Sequence, residues 1–165
     1  MNPFWDHFGT LNKYVERCPS FLQAGEPAND VLVYLLIHDV FSVPHRELLR
    51  HFSGAISGTT TRELAQVLVD KGYSFDFISD RQLANTTANG AGLKTDGAFY
   101  KTVIVPECRY IDLNTMKKLF DLAEQGAIVL FQNALPKDVS GLFQLEERQK
   151  VFQNMVKSLS ITIIG

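Results

Sequence analysis

Two hydrophobic spacings alternate along this chain: short runs of consecutive apolar residues, and stretches in which apolar residues recur every third or fourth position. The stretch from Tyr100 to Phe131 shows both most clearly. Val103-Ile104-Val105 is a β-branched run, and Pro106 closes it because proline has no backbone N–H for a ladder. Asp112 has the short acceptor side chain of an N-cap, and the helix after it sets Met116, Leu119, Phe120 and Ala123 on one face. Gly126 supplies the left-handed stop, after which Ala127 to Phe131 is again a buried strand. Two strands joined through a helix in this way run parallel.

The same alternation extends in both directions. Asn2-Pro3 opens a helix to about Arg17, with Phe4, Phe8, Leu11, Val15 and Cys18 near one face and Pro19 as its end. Val31 to Ile37 is apolar throughout, as a central parallel strand buried on both faces should be. Pro44 to Phe52 reads as a short helix. Thr60 and Glu63 form a capping box for a helix from Thr61 to Lys71, which Gly72 stops. A second strand follows near 74–78, and Ser79 with Gln82 caps one brief helical turn. Asn89-Gly90 and Asp96-Gly97 are turn dipeptides around Leu93, which predicts a small β-excursion before the third main strand at 101–105. The fourth strand is 127–131, Leu145 to Leu159 is an amphipathic helix, and a fifth strand is expected at 161–164. The fold class is therefore α/β: a doubly wound, mainly parallel five-stranded sheet in the order 2-1-3-4-5, with helices on both faces.

Composition adds limits. With 165 residues, 45% of them hydrophobic, the chain has material for one domain with its own core. The 16 basic and 18 acidic residues are spread along it for a net charge of -2, so the basic stripe that a nucleic acid needs is missing. No apolar run reaches membrane-spanning length. Cys18 and Cys108 make neither a CxxC nor a zinc spacing, and His7, His38, His45 and His51 make no HExxH, so no metal or cofactor is expected. SGAISG and NGAG are not the GxGxxG of a dinucleotide site. The aromatics Phe4, Trp5, Phe8, Phe75, Phe77, Phe120 and Phe131 fall at helical or strand spacing and read as core.

Candidate chemistry gathers where strands end. Cys108 follows a strand and precedes a helix, as a nucleophile would, but Pro106, Glu107, Arg109 and Tyr110 are wrong for a strained elbow, and no histidine follows it. It reads as a structural thiol. Asp39 and Glu107 follow the first and third strands, which flank the topological switch point of a doubly wound sheet. Two carboxylates there suggest acid and base for glycoside hydrolysis, while carboxylates at such places also commonly cap helices and solvate loops. With His38 and Arg109 in the same crevice, a polar binding spot is the reading preferred over catalysis, and no residue is assigned as catalytic.

The run from Tyr14 to Phe41, with Tyr14 and Arg17 in a Tyr-x-x-Arg pattern and Gly25, Pro27, Asp30 and Val31 opening the first strand, resembles a segment of the large bacterial α-L-rhamnosidases. Tyr100, Lys101, Pro106, Gly126 and Ala127 carry the resemblance through the later strand-helix-strand unit. That segment is similar to a class I glutamine amidotransferase-like, flavodoxin-like domain, as in the trimerisation domains of some bacterial β-galactosidases. The resemblance implies a connector helix over 1–25 and an amidotransferase-like domain over 26–165, cut from a longer polypeptide, as a chain stopping one residue after a strand also suggests. It implies a non-catalytic accessory role beside a catalytic barrel that holds the acid and base. Expected partners are that barrel, a second copy of the chain and carbohydrate, with Trp5 and Phe8 exposed where the barrel packs. The parent would be a periplasmic or secreted bacterial enzyme. The alternatives from other classes are a free-standing amidotransferase-like enzyme using Cys108, or a flavodoxin-like ligand-binding module.

Overall fold

A computed structural model describes residues 5–25, 28–43, 58–90 and 92–158 of the chain. One 3-10 turn, Trp5–His7, leads into α1 (Phe8–Leu22). Then come β1 (Val31–Tyr34), α2 (Ile37–Ser42), α3 (Thr60–Asp70), β2 (Phe75–Ile78) and α4 (Asp80–Asn85). Three short strands follow, β3 (Thr87–Asn89), β4 (Gly92–Lys94) and β5 (Phe99–Tyr100), before β6 (Thr102–Val105). The chain continues through β7 (Tyr110–Ile111), α5 (Leu113–Glu124), β8 (Ile128–Phe131), β9 (Asp138–Val139) and α6 (Leu145–Ser158).

The main sheet is parallel, with strand order β2-β1-β6-β8. These are the first four expected strands, and they stand in the order 2-1-3-4. The fifth, expected at 161–164, lies outside the described residues, as does the helix expected over 44–52. β3, β4 and β5 form an antiparallel sheet that realises the expected excursion, with Gly90 turning at a φ of 59°. β7 and β9 pair in parallel beside the mouth of the main sheet.

Strand alternation divides the core in two. Val31 and Val33 of β1 pack with Leu64 and Leu68 of α3, joined by Phe75 and Ile104. Leu32 and Tyr34 face the other way, into the larger cluster with Val103, Val105, Met116, Leu119 and Phe152. Because β1 is paired on both edges and covered on both faces, its apolar run is continuous. β8 is covered on one face only: Val129 and Phe131 reach the larger cluster, while Ile128 and Leu130 are exposed.

Several local expectations shift. Pro19 does not end α1, which runs on to Leu22. The missing proline donor frees a carbonyl one turn back, but a φ near -65° suits a helix, and Ser20 Oγ donates to Arg17 O at 2.8 Å in the same turn. The first strand stops at Tyr34 rather than Ile37, because Ile37 already starts α2. Thr59, not Thr60, caps α3 by accepting from the Arg62 N–H, which releases Thr60 for a tertiary contact. On α5 Leu122 is buried and Ala123 exposed, since Leu122 completes the row of Leu113, Met116 and Leu119. Gly126 takes the expected left-handed stop with φ 96°. Nor do all the aromatics join the core. Phe75, Phe120 and Phe131 are partly buried, Phe77 is exposed, and Phe4 lies outside the described residues. Trp5 and Phe8 stack on each other at 5.7 Å yet are exposed, and no residue of α1 is buried.

The packing yields a direct expectation. Leu119→Ala, at a fully buried position beneath the sheet, costs about 2–5 kcal/mol in urea unfolding, whereas Leu130→Ala on the open face of β8 costs a small fraction of that. Equal costs would contradict this placement of the core.

Candidate functional site

The polar side chains collect at the carboxyl edge of the main sheet. β1 ends with Tyr34, the Leu35 N–H bonds to the Ile78 carbonyl at 3.0 Å, and the chain turns into α2, which delivers His38 and Asp39 to the edge. β2 ends at Ile78, and the Ser79–Gln82 capping box forms in both directions, so Asp80 stands at the first position of α4. β6 leads through 106–109 to β7, and the first turn of α5 brings Thr115.

Asp80 is the hub. Its carboxylate accepts from the Tyr34 hydroxyl and from Thr115 Oγ1, both at 2.5 Å, and contacts His38 Nε2 at 3.1 Å. Tyr34 is fully buried and Thr115 nearly so. Burial alone would raise the Asp80 carboxyl, but the hydrogen bonds from His38, Thr115 and Tyr34 outweigh it and bring the carboxyl down to about 2. The bond to Asp80 raises His38 against the opposing effect of burial, with the charges of Asp80, Asp112 and Asp39 adding to the rise. Tyr34 is pushed up, first by burial and then by its negative partner.

Asp39 does different work. One oxygen accepts from the Arg109 N–H at 2.7 Å and the other from the Tyr110 N–H at 2.6 Å, so the carboxylate ties α2 to the start of β7. Glu107 accepts from Asn133 Nδ2 at 2.9 Å, and its backbone carbonyl accepts from Thr60 Oγ1 at 2.7 Å. Asn133 holds a left-handed φ of 59°. The Arg109 guanidinium lies over the Tyr110 ring, 4.9 Å from its centroid. Cys108 is buried, and its thiol is pushed up to about 12, chiefly by that burial and then by the charges of Asp39 and Glu107.

Thus the edge brings His38, Asp39 and the 109–110 backbone together, while Glu107 turns to Asn133 and the Arg109 side chain stacks on Tyr110. The sequence reasoning missed Asp80, Tyr34 and Thr115. Two signals for them were present: Tyr34 carries the single polar tip in an otherwise aliphatic strand, and the Ser79 capping box sets Asp80 directly beyond β2.

Two clefts meet at His38. One, of about 420 Å³, lies between Phe41 and Tyr110 and the segment carrying Asp138, Ser140 and Leu142. The other, of about 590 Å³, is lined by Asp112, Asn114, Ser140, Phe143 and Arg148. A third recess, of about 390 Å³, runs along the β2 edge beside Asp76, which accepts from both Asn29 Nδ2 and the Tyr100 hydroxyl at 2.8 Å. Among the described residues no group of three or more His, Cys, Asp or Glu is arranged for a metal ion, and no helix is long and apolar enough to cross a membrane.

This is an α/β domain whose parallel sheet opens a polar crevice at its carboxyl edge, and comparison with known proteins places it among glycoside hydrolases. Residues 3–163 match glycoside hydrolase family 106, described as alpha-L-rhamnosidase, and the chain belongs to that family. A protein of Formosa agariphila named "Putative beta-glucuronidase" is 27% identical over 131 residues, which cover 79% of this chain and 10% of that protein. The chain therefore spans about a tenth of the length of that relative. The crystal structure of a beta-galactosidase from Bifidobacterium adolescentis shares 16% identity with a TM-score of 0.39, covering 62% of this chain and 39% of the other.

The crevice has a pH signature whose sign follows from its two shifted groups. His38 is raised on folding, so its contribution to stability is complete below the ordinary histidine value, about 6.5, and is lost as pH rises through the folded value. Asp80 is lowered, so its contribution is complete above 3.8 and is lost as pH falls towards about 2. Thermal melts of wild type and His38→Ala should accordingly converge with rising pH. A gap independent of pH would show that His38 is not paired in the folded chain. Asp80→Ala, which strands the buried Tyr34 and Thr115 hydroxyls, should cost about 1–3 kcal/mol for each stranded hydroxyl.

The thiols give a second expectation. Near neutral pH iodoacetamide should label the partly exposed Cys18 well before Cys108, which reacts only once the domain unfolds. Faster labelling of Cys108, read by mass spectrometry, would reveal an activated thiolate.

Proposed function

We propose that this chain is a non-catalytic accessory domain of a rhamnosidase-type glycoside hydrolase, buttressing the catalytic barrel of a longer polypeptide or an interface between its domains or subunits. The observation that carries the reading is the engagement of the carboxylates at the sheet edge. Glycoside hydrolysis uses two carboxyl groups flanking the scissile bond, one of them a protonated acid at working pH. Asp39 has both oxygens on backbone N–H groups, and Asp80 is held ionised among three donors. Both tie the chain to itself.

Two further features support the reading. The exposed apolar side chains of Trp5, Leu11, Tyr14 and Val15 along the first helix offer surface for a barrel or for a second copy of the chain. The strand order 2-1-3-4 suits a flavodoxin-like, amidotransferase-like sheet. The alternative of a free-standing enzyme using Cys108 requires a thiolate, and burial holds that sulfur protonated.

The test is an assay of the chain with aryl α-L-rhamnosides, aryl β-D-glucuronides and aryl β-D-galactosides. No turnover above background is expected, for wild type or for Asp39→Asn and Glu107→Gln. Turnover by the wild type that disappears in either variant would overturn the accessory reading.

A further inference from the structure

Leu142 and Phe143 are 88% and 78% exposed, yet the turn that carries them is firmly braced. The Arg148 guanidinium donates to the carbonyls of Ser140, Gly141 and Phe143. Gly141 and Gln144 both take positive φ, at 82° and 46°, a conformation that a non-glycine residue rarely adopts. Closing the path from β9 to α6 does not in itself require two large apolar side chains held in water. Phe41, 77% exposed on α2, lines the same cleft as Leu142 and His38. The recess thus has an apolar rim.

Its floor is polar and under-used. His38 Nε2 is engaged with Asp80, and because an ionised carboxylate only accepts, Nε2 carries the hydrogen. The other ring nitrogen, Nδ1, meets no hydrogen-bonding partner among the described residues. The same holds for the hydroxyls of Ser140 and Tyr110, which line this cleft with it. A cleft of about 420 Å³ with an apolar rim and a few convergent polar groups has the size and make-up of a small-molecule site.

We propose that the His38 recess is a non-catalytic binding site for a neutral pyranose, which packs its C–H face on Phe41 and Leu142 and hydrogen-bonds through its hydroxyls to His38 Nδ1, Ser140 and Tyr110. A sugar hydroxyl both donates and accepts, so it suits Nδ1 whether the ring is charged or neutral. A carboxylate ligand would need the charged ring and would face Asp39, Asp80 and Asp112 around it. Membership of a glycoside hydrolase family supplies the ligand class. The inference rests on that membership and not on the absence of catalysis, so a binding measurement without turnover keeps the two questions apart.

The experiment is a titration of the full chain with L-rhamnose, D-galactose and, as the anionic probe, D-glucuronate, followed by NMR of the histidine and aromatic rings. A neutral sugar should shift the His38 and Tyr110 resonances saturably across pH. Phe41→Ala, which removes an exposed ring and leaves the core untouched, should weaken that binding about tenfold or more. The proposal is overturned if neither neutral sugar gives a saturable shift, or if Phe41→Ala leaves the shift unchanged. A response confined to D-glucuronate and fading as pH rises would also overturn it, by making the site an anion site. So would a Phe41→Ala chain that loses only self-association in sedimentation, which would assign the rim to a polypeptide contact.

Discussion

Everything at the crevice depends on β1 being paired in parallel on both edges and covered on both faces. Four residues, Val31 to Tyr34, are all buried, and they hold β2 on one side and β6 on the other. Parallel partners cannot be reached by tight turns, so the chain leaves and re-enters this strand's neighbourhood through helices. Every departure from the sheet then occurs at the same edge. The ends of β1, β2, β6 and β8 deliver α2, α4, the 106–109 segment and Asn133 to one place, although they are far apart in sequence.

At that edge the carboxylates act as connectors. Asp39 joins α2 to the start of β7, Asp80 joins β1, α2 and α5 through hydroxyls and an imidazole, and Asp112 caps α5 through its own side chain. With three donors around it, Asp80 is held ionised, which is what a structural acceptor needs and what a general acid cannot be. The same partners fix the orientation of His38 and leave one of its nitrogens to the cleft.

Legibility in the sequence followed the range of the interaction. The capping box at Ser79, the N-cap at Asp112 and the glycine stops at Gly72 and Gly126 are all as the residues suggest, because each is a contact within a few positions. The candidates at the crevice were harder. His38, Asp39, Glu107 and Arg109 all stand at the predicted edge, but their partners are tens of residues away, and no local rule says that Asp39 meets the 109–110 backbone or that Glu107 turns to Asn133. Asp80 escaped notice because its local appearance is that of an ordinary first-turn acid.

By itself the sequence determined the succession of the first four main strands, the parallel pairing that this succession requires, and the edge at which polar residues gather. These follow from periodicity, capping and chain connectivity, all of which act locally or through general rules. Only the tertiary structure decided that Tyr34, His38 and Thr115 share one carboxylate, that Cys108 is shielded, and that Phe41, Leu142 and Phe143 stand in water around His38. Such outcomes depend on distances between segments far apart along the chain, and those are set by the packing of whole elements rather than by any residue's own preference.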